Sequence, residues 1–150
     1  MGELTRAEAV AQEAYARWLG VQLKSASGTA RIELPYKEEN SNPGKQVHGG
    51  VVASALAMAG RIAALAGTEI AEPCAIGTLY LSVAYLASAV SEAILAEGRV
   101  LRRGKELCHV RSDAANPGGK PLGTATLVFR AAPGVDPAPI VAPIDRSGDA

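Results

Sequence analysis

The sequence predicts an α+β domain in which an antiparallel sheet of about six strands wraps around one central buried helix. Three observations predict it. Between Val51 and Ala66 nearly every residue is small or apolar and only Ser54 and Arg61 are polar, so this helix should be buried on almost all sides. Two strand-like runs precede it and four follow, and their connections carry turn chemistry. A chain of 150 residues, 48% hydrophobic, is long enough for one proper core and too short for a second full domain. One such layer leaves the other face of the sheet and its edges poorly protected, so self-association with a second copy is expected.

The elements follow in order. Thr5 caps a first helix with Glu8 at the capping-box position, and Ala9, Val10, Tyr15 and Leu19 carry its apolar spacing to an end near Gly20. Val21 to Lys24 and Thr29 to Pro35 form a hairpin, with Ala30, Ile32 and Leu34 alternating against Arg31 and Glu33. Residues 37–46 are polar and rich in Asn, Pro and Gly, a loop leading into His48-Gly49-Gly50. After the apolar helix come strand candidates at Ile76 to Leu86, Ala89 to Leu101, Glu106 to Ala114 and Leu122 to Arg130. Arg103-Gly104-Lys105 and Asn116-Pro117-Gly118-Gly119 supply two of the turns. The domain is expected to span residues 1–131. Residues 132–150, rich in Pro, Asp and Gly and without periodicity, read as a flexible C-terminal tail. There is no internal repeat.

Composition narrows the function classes. Fifteen basic and fifteen acidic residues cancel, so nothing draws the chain generally to nucleic acid or anionic lipid, and a small-molecule ligand is the expectation. Cys74 and Cys108 match no zinc or redox spacing and read as reduced, buried thiols; no metal is expected. The first residues, Met1-Gly2-Glu3-Leu4-Thr5-Arg6, lack the apolar core of a secretory signal, which points to the cytoplasm. Pro73 to Ser91 carries no charge and is about long enough to cross a bilayer. Pro73, Thr78, Ser82, Ser88 and Ser91 interrupt it, so it reads as two strand-like halves and not as a membrane span.

Trp18-Leu19-Gly20-Val21, Glu33-Leu34-Pro35, Asn42 with Val47-His48-Gly49-Gly50-Val51-Val52-Ala53, and Arg103-Gly104-Lys105 together resemble the hotdog-fold acyl-CoA thioesterases. The branch is the one that includes the phenylacetic-acid-degradation and Arthrobacter-type 4-hydroxybenzoyl-CoA enzymes. The likeness covers about residues 5–130 in matching order and implies a hotdog fold, a coenzyme A thioester as substrate with no separate cofactor, and dimers that pair into homotetramers. It also implies that Gly49 N–H, at the start of the helix, polarises the thioester carbonyl. Free N–H groups and the positive end of a helix dipole stabilise the oxyanion that develops on attack. Gly50 continues that turn, and His48 and Asn42 are implied to line the site. The plainer alternative for His48 is a turn histidine bonded to backbone.

The resemblance places an acid nine residues after the histidine, as base or nucleophile, and here that position is Ala57. No Asp or Glu occurs between Val51 and Thr68 to replace it. At 100° per residue Ser54 and Arg61 fall about 20° apart, with Ala57 within about 60° of both, so the helix's polar groups share one stripe with it. Arg61 either marks the wet end of the helix or offers a cation to an anionic acyl group. Thr78 aligns with a Ser or Thr that positions water in some relatives, with an ordinary half-polar strand as the alternative. By alternation it shares a face with Tyr80 and Ser82. Arg102, Arg103 and Lys105 are placed to grip the phosphates of coenzyme A at a subunit boundary, or form a solvated basic turn. His109 and Arg111 receive no role. Three functions remain: a thioesterase without the usual acid, a non-hydrolytic acyl-CoA binding or regulatory protein, and a hydratase. The last lacks an acid to partner His48.

Overall fold

The computed structural model describes residues 6–27, 29–66 and 74–133. The expected Thr5 cap and the C-terminal tail from residue 134 lie outside them. Two short helices, α1 (Arg6–Ala11) and α2 (Ala14–Leu19), precede the hairpin of β1 (Gln22–Ser25) and β2 (Ala30–Leu34). A single 3-10 turn at Glu38–Asn40 leads to the long helix α3 (Gly49–Leu65). Four strands follow: β3 (Cys74–Tyr85), β4 (Ile94–Arg103), β5 (Leu107–Ala115) and β6 (Pro121–Pro133). The six strands form one sheet in the order β1-β2-β4-β5-β6-β3, every pairing antiparallel.

The sheet wraps α3. Val52, Ala55, Leu56, Ala59, Ile62 and Ala63 bury one side of the helix against Ile32, Leu34, Ile94, Ala96, Val110, Leu122, Leu127 and Phe129. The run of small residues brings helix and sheet together closely. Gly98 on β4 faces the helix backbone so tightly that a Cβ there would overlap the Ala59 carbonyl. Burial on almost all sides is not what the helix shows, since Ala53, Ser54, Ala57, Met58 and Arg61 are only half-buried and form its outward stripe.

The first expected helix is two. The chain breaks after α1, Glu13 takes an extended conformation at the start of α2, and Gly20 ends α2 in the left-handed region that glycine adopts without strain. The break lets Glu13 and Tyr15 reach α3. Strand β4 begins at Ile94, five residues later than the apolar run suggests, because residues 89–91 pair elsewhere. Val47 N–H donates to Ala89 O, Val90 bridges Gln46, and Ser91 N–H donates to Lys45 O. That segment buttresses the loop before α3.

Two bulges redirect side chains. Opposed residues on neighbouring strands point to the same face, and the extra residue Leu79 places Thr78 opposite buried Phe129 but Tyr80 opposite Val128. Thr78 therefore lies on the helix side of the sheet with Leu81 and Val83, and simple alternation with Tyr80 and Ser82 fails there. A second bulge at Leu101 sets Arg103 opposite buried Cys108, again on the helix side. Strand β3 is an edge of the sheet. Leu79, Tyr80, Leu81 and Tyr85 are all exposed along it.

Candidate active site

The site is built at the start of α3. His48 is its N-cap, with φ −59° and ψ 137°, and its Nδ1 accepts the Gly50 N–H at 3.1 Å. His48 N–H itself donates to Asn40 O at 2.8 Å. Because Nδ1 is an acceptor, a neutral His48 ring carries its proton on Nε2 and is a donor there, not a base. The capping histidine and the site histidine are thus one residue. Gly49, the first helical residue, has an N–H that no hydrogen bond among the described residues uses. It stands at the positive end of a helix of 17 residues.

Tyr85, which sequence reasoning did not single out, closes one side of this turn. Its hydroxyl donates to Gly49 O at 3.1 Å. Its ring atoms Cε1 and Cζ lie 3.4 and 3.6 Å from where a Cβ on Gly49 would stand. The alternation of β3 was the available signal, since Tyr85 shares a face with Val83 and Leu81. The signal was insufficient without knowing which end of β3 meets the helix.

The Asn42 side chain holds its own loop together. Its Oδ1 accepts Gly44 N–H at 3.0 Å and Gln46 N–H at 3.1 Å, and its Nδ2 donates to Gln46 Oε1 at 3.3 Å. It shapes the loop as an Asx turn does.

Along the outward stripe, Ser54 donates to Gly50 O at 2.8 Å and receives the Tyr15 hydroxyl at 2.9 Å. Arg61 Nη1 donates to Glu13 Oε2 at 2.9 Å, while its Nε is buried without a partner. The α1–α2 junction thus covers both polar residues of the stripe, and the charge of Arg61 is already compensated. Ala57 lies between them, half-buried, and the carboxylate held beside this stripe is that of Glu13.

The remaining residues lie at the far end of the helix. Arg103 Nη1 donates to Ala64 O at 2.8 Å and Nη2 to Ala66 O at 3.5 Å, so this guanidinium satisfies the last carbonyls of α3 and the negative end of its dipole. Arg102 and Lys105 are exposed. A helix of this length is about 25 Å long, which separates the basic hairpin from Gly49 within one copy. Thr78 is seven residues from Tyr85 along β3, about 23 Å. One copy therefore brings together Gly49, Gly50, His48 and Tyr85, and leaves Thr78, Arg102 and Lys105 apart from them.

Among the described residues two titrating groups are displaced, and both lie elsewhere. Burial pushes the Cys108 thiol up, against the opposing charge of Arg103. Burial also raises the Asp113 carboxyl, but hydrogen bonds from Thr124 and Arg111, with the charges of Arg111 and Arg99, outweigh it and hold the group below its ordinary value. A groove of about 750 Å³ opens on the opposite face of the sheet beside Arg31, Leu95 and Arg111. Its guanidiniums are already paired, Arg31 with Glu97 and Arg111 with Asp113. Among the described residues no cluster of three or more metal-ligating side chains occurs, and no helix is long and apolar enough to cross a membrane.

One antiparallel sheet wrapped around one long helix defines a hotdog domain, and among the described residues the N–H at the first turn of that helix has no hydrogen-bond partner. Residues 37–130 match the family model for the acyl-CoA thioesterase N-terminal domain, and the chain belongs to that family. Over 93 residues it is 32% identical to a candidate esterase of Saccharolobus solfataricus, covering 62% of this chain and 64% of that protein. A candidate esterase of Halobacterium salinarum is 34% identical over 91 residues, covering 58% and 60%. The chain thus spans less than two thirds of the length of these relatives. Among solved structures, a mutant thioesterase of Pseudomonas aeruginosa superposes with a TM-score of 0.77 at 17% identity, over 89% of this chain and 96% of that one. A candidate thioesterase of Ralstonia eutropha JMP134, described as related to phenylacetic acid degradation, gives 0.70 at 26% identity, over 79% and 89%. A hypothetical thioesterase of Streptococcus pneumoniae TIGR4, solved with coenzyme A, gives 0.65 at 17% identity, over 75% and 86%.

Proposed function

We propose that this domain binds a small acyl- or aryl-CoA thioester between two copies of the chain and hydrolyses it slowly, in the manner of the phenylacetic-acid-degradation and Arthrobacter-type branch. The observation that carries the reading is the Gly49 N–H, unpartnered at the positive end of α3. In the reaction a water oxygen adds to the thioester carbonyl, and the oxyanion rests on Gly49 N–H. The C–S bond then breaks, and the sulfur leaves as a thiolate that takes up the proton the water gives off. With Ala57 in the acid position, loss of a placed base costs about 10²–10⁴-fold in rate. Coenzyme A enters as part of the substrate and no further cofactor takes part. The domain works in the cytoplasm.

The second copy supplies what one copy holds too far away. The exposed edge of β3 is a template for antiparallel pairing with its own copy. Centred on Ser82, such pairing sets Leu81 opposite Val83 of the partner subunit and, with the bulge at Leu79 taking up one residue, Thr78 of the partner subunit opposite Tyr85 on the helix side of the sheet. The same two-fold brings the hairpin that carries Arg102 and Lys105 of the partner subunit to the end of the sheet where Gly49 lies, and from that edge these cations reach the coenzyme A phosphates. Arg103 stays with its helix.

Gly49→Pro tests the reading. Proline at the first helical position keeps the helix and removes the N–H, its Cβ would stand in ordinary contact with the Tyr85 ring, and the extended ψ of His48 suits a residue before proline. The expected outcome is an unchanged melting temperature with thiol release from a panel of CoA thioesters lowered about 10²-fold. Unchanged release would reject the assignment of Gly49. Ala57 favours a second reading, a domain that binds acyl-CoA and regulates without hydrolysis; tight binding of the panel with no thiol release would select it.

A further inference from the structure

On the face of the sheet turned away from α3, charged residues stand in rungs across β4 and β5. Glu97 opposes Asp113, Arg99 opposes Arg111 and Arg102 opposes His109. The first rung is neutralised: Arg31 Nε donates to Glu97 Oε2 at 2.6 Å, and Arg111 donates through Nε and Nη2 to Asp113 at 3.2 Å. The next two rungs are not. Arg99, Arg102 and His109 are exposed, and among the described residues none of their side chains has a hydrogen bond or ion pair. The charge of Arg99 is felt at Asp113, but that carboxylate is already held by Arg111 and Thr124. Like charges directly opposite on neighbouring strands cost stability, and the fold sets Arg99 opposite Arg111 all the same.

The bulge at Leu101 makes the cluster. Residues 99 and 102 would point to opposite faces of a regular strand, and the extra residue returns Arg102 to the face of Arg99. Side chains directly opposite start about 5 Å apart, and those two residues apart on one strand about 7 Å, so Arg99, Arg102 and His109 surround one spot that all three reach. We propose that these three residues form a phosphate-binding site on the outer face of the sheet, for the terminal phosphate of a phosphate-bearing small molecule. Each guanidinium presents paired N–H donors of the geometry that phosphate oxygens accept, and the imidazole supplies an N–H even when neutral. Three guanidiniums against the one carboxylate of Asp113 leave the cluster cationic. The site lies on the face opposite α3 and involves no reaction, so it stands apart from the thioester reading. Two sources carry the required chemistry: a free phosphorylated small molecule, and the 3′-phosphate of coenzyme A.

Calorimetric titration of the full chain with inorganic phosphate and with adenosine 3′,5′-bisphosphate tests the site. Saturable binding is expected, weakened about tenfold or more by Arg99→Gln or Arg102→Gln and about threefold by His109→Ala. Lys24→Gln removes a charge from the same side of the sheet outside the cluster, and is expected to change affinity by less than about twofold. Arg99→Gln relieves a like-charge opposition, so its melting temperature is expected not to fall, and weaker binding by a variant that is no less stable does not come from misfolding. Coenzyme A and dephospho-coenzyme A separate the two sources. If the site holds the 3′-phosphate of coenzyme A, the parent binds dephospho-coenzyme A as weakly as Arg99→Gln binds coenzyme A. If it takes a free phosphate, Arg99→Gln leaves coenzyme A affinity unchanged and weakens only the smaller probes. The inference is overturned by no saturable binding of either probe, by equal binding to the parent and to an Arg99→Gln, Arg102→Gln double variant, or by an equal loss in Lys24→Gln.

Discussion

In the proposed reaction alanine at position 57 leaves no side chain there to take a proton, yet among the described residues the turn eight residues before it keeps its donor free. That combination makes the effect of restoring an acid a direct reading of the rest of the site. Ala57 is half-buried on the outward stripe of α3, so a longer side chain has an open side to enter. Ala57→Glu or Ala57→Asp is expected to raise thiol release about 10²-fold, within the usual worth of a placed base. Steady-state kinetics on one panel substrate checks it, and no gain would mean that the site has diverged beyond this residue. Arg61 carries a related lesson. Its place on the stripe was legible, but its partner was not, because Glu13 lies 48 residues away in sequence and meets it only through the break between α1 and α2.

At the scale of elements, the order of helices and strands followed from periodicity and turn residues, while the faces that matter followed from irregularities. The bulges at Leu79 and Leu101 each insert one residue, and each turns a polar side chain, Thr78 or Arg103, to the helix side. Alternation read from sequence cannot register an insertion that the partner strand creates. Strand β4 and α3 approach closely at Gly98. Gly98→Ala would drive a Cβ into backbone at Ala59 and Gly60, which cannot rotate away. A loss of about 3 kcal/mol or more is expected, the upper end of overpacking costs, measured as a lower midpoint in urea denaturation. A variant as stable as the parent would show that helix and strand are less closely apposed.

At the scale of the whole molecule, the proposed site is divided: Gly49 and Tyr85 at one end of a protomer, Thr78, Arg102 and Lys105 at the other. A copy carrying Gly49→Pro and a copy carrying Thr78→Ala, Arg102→Ala and Lys105→Ala are each expected to be nearly inactive alone. Random mixing puts one intact site in each mixed dimer, so subunit exchange is expected to restore roughly a quarter of the parent activity. No recovery on mixing would place the whole site within one copy.

The amino-acid sequence determined the class of fold, the helix that the sheet wraps, the glycine turn at its start and the missing acid, because composition, period and turn chemistry are local properties carried by neighbouring residues. It also supplied the reason to propose self-association, since one layer cannot cover its own edge. Only the tertiary structure decided that His48 is spent as a cap, that Asn42 serves its loop, that Arg103 closes the helix and that Tyr85 stands over Gly49. Those roles depend on which donor meets which acceptor across tens of residues, and hydrogen bonds are decided by position in space.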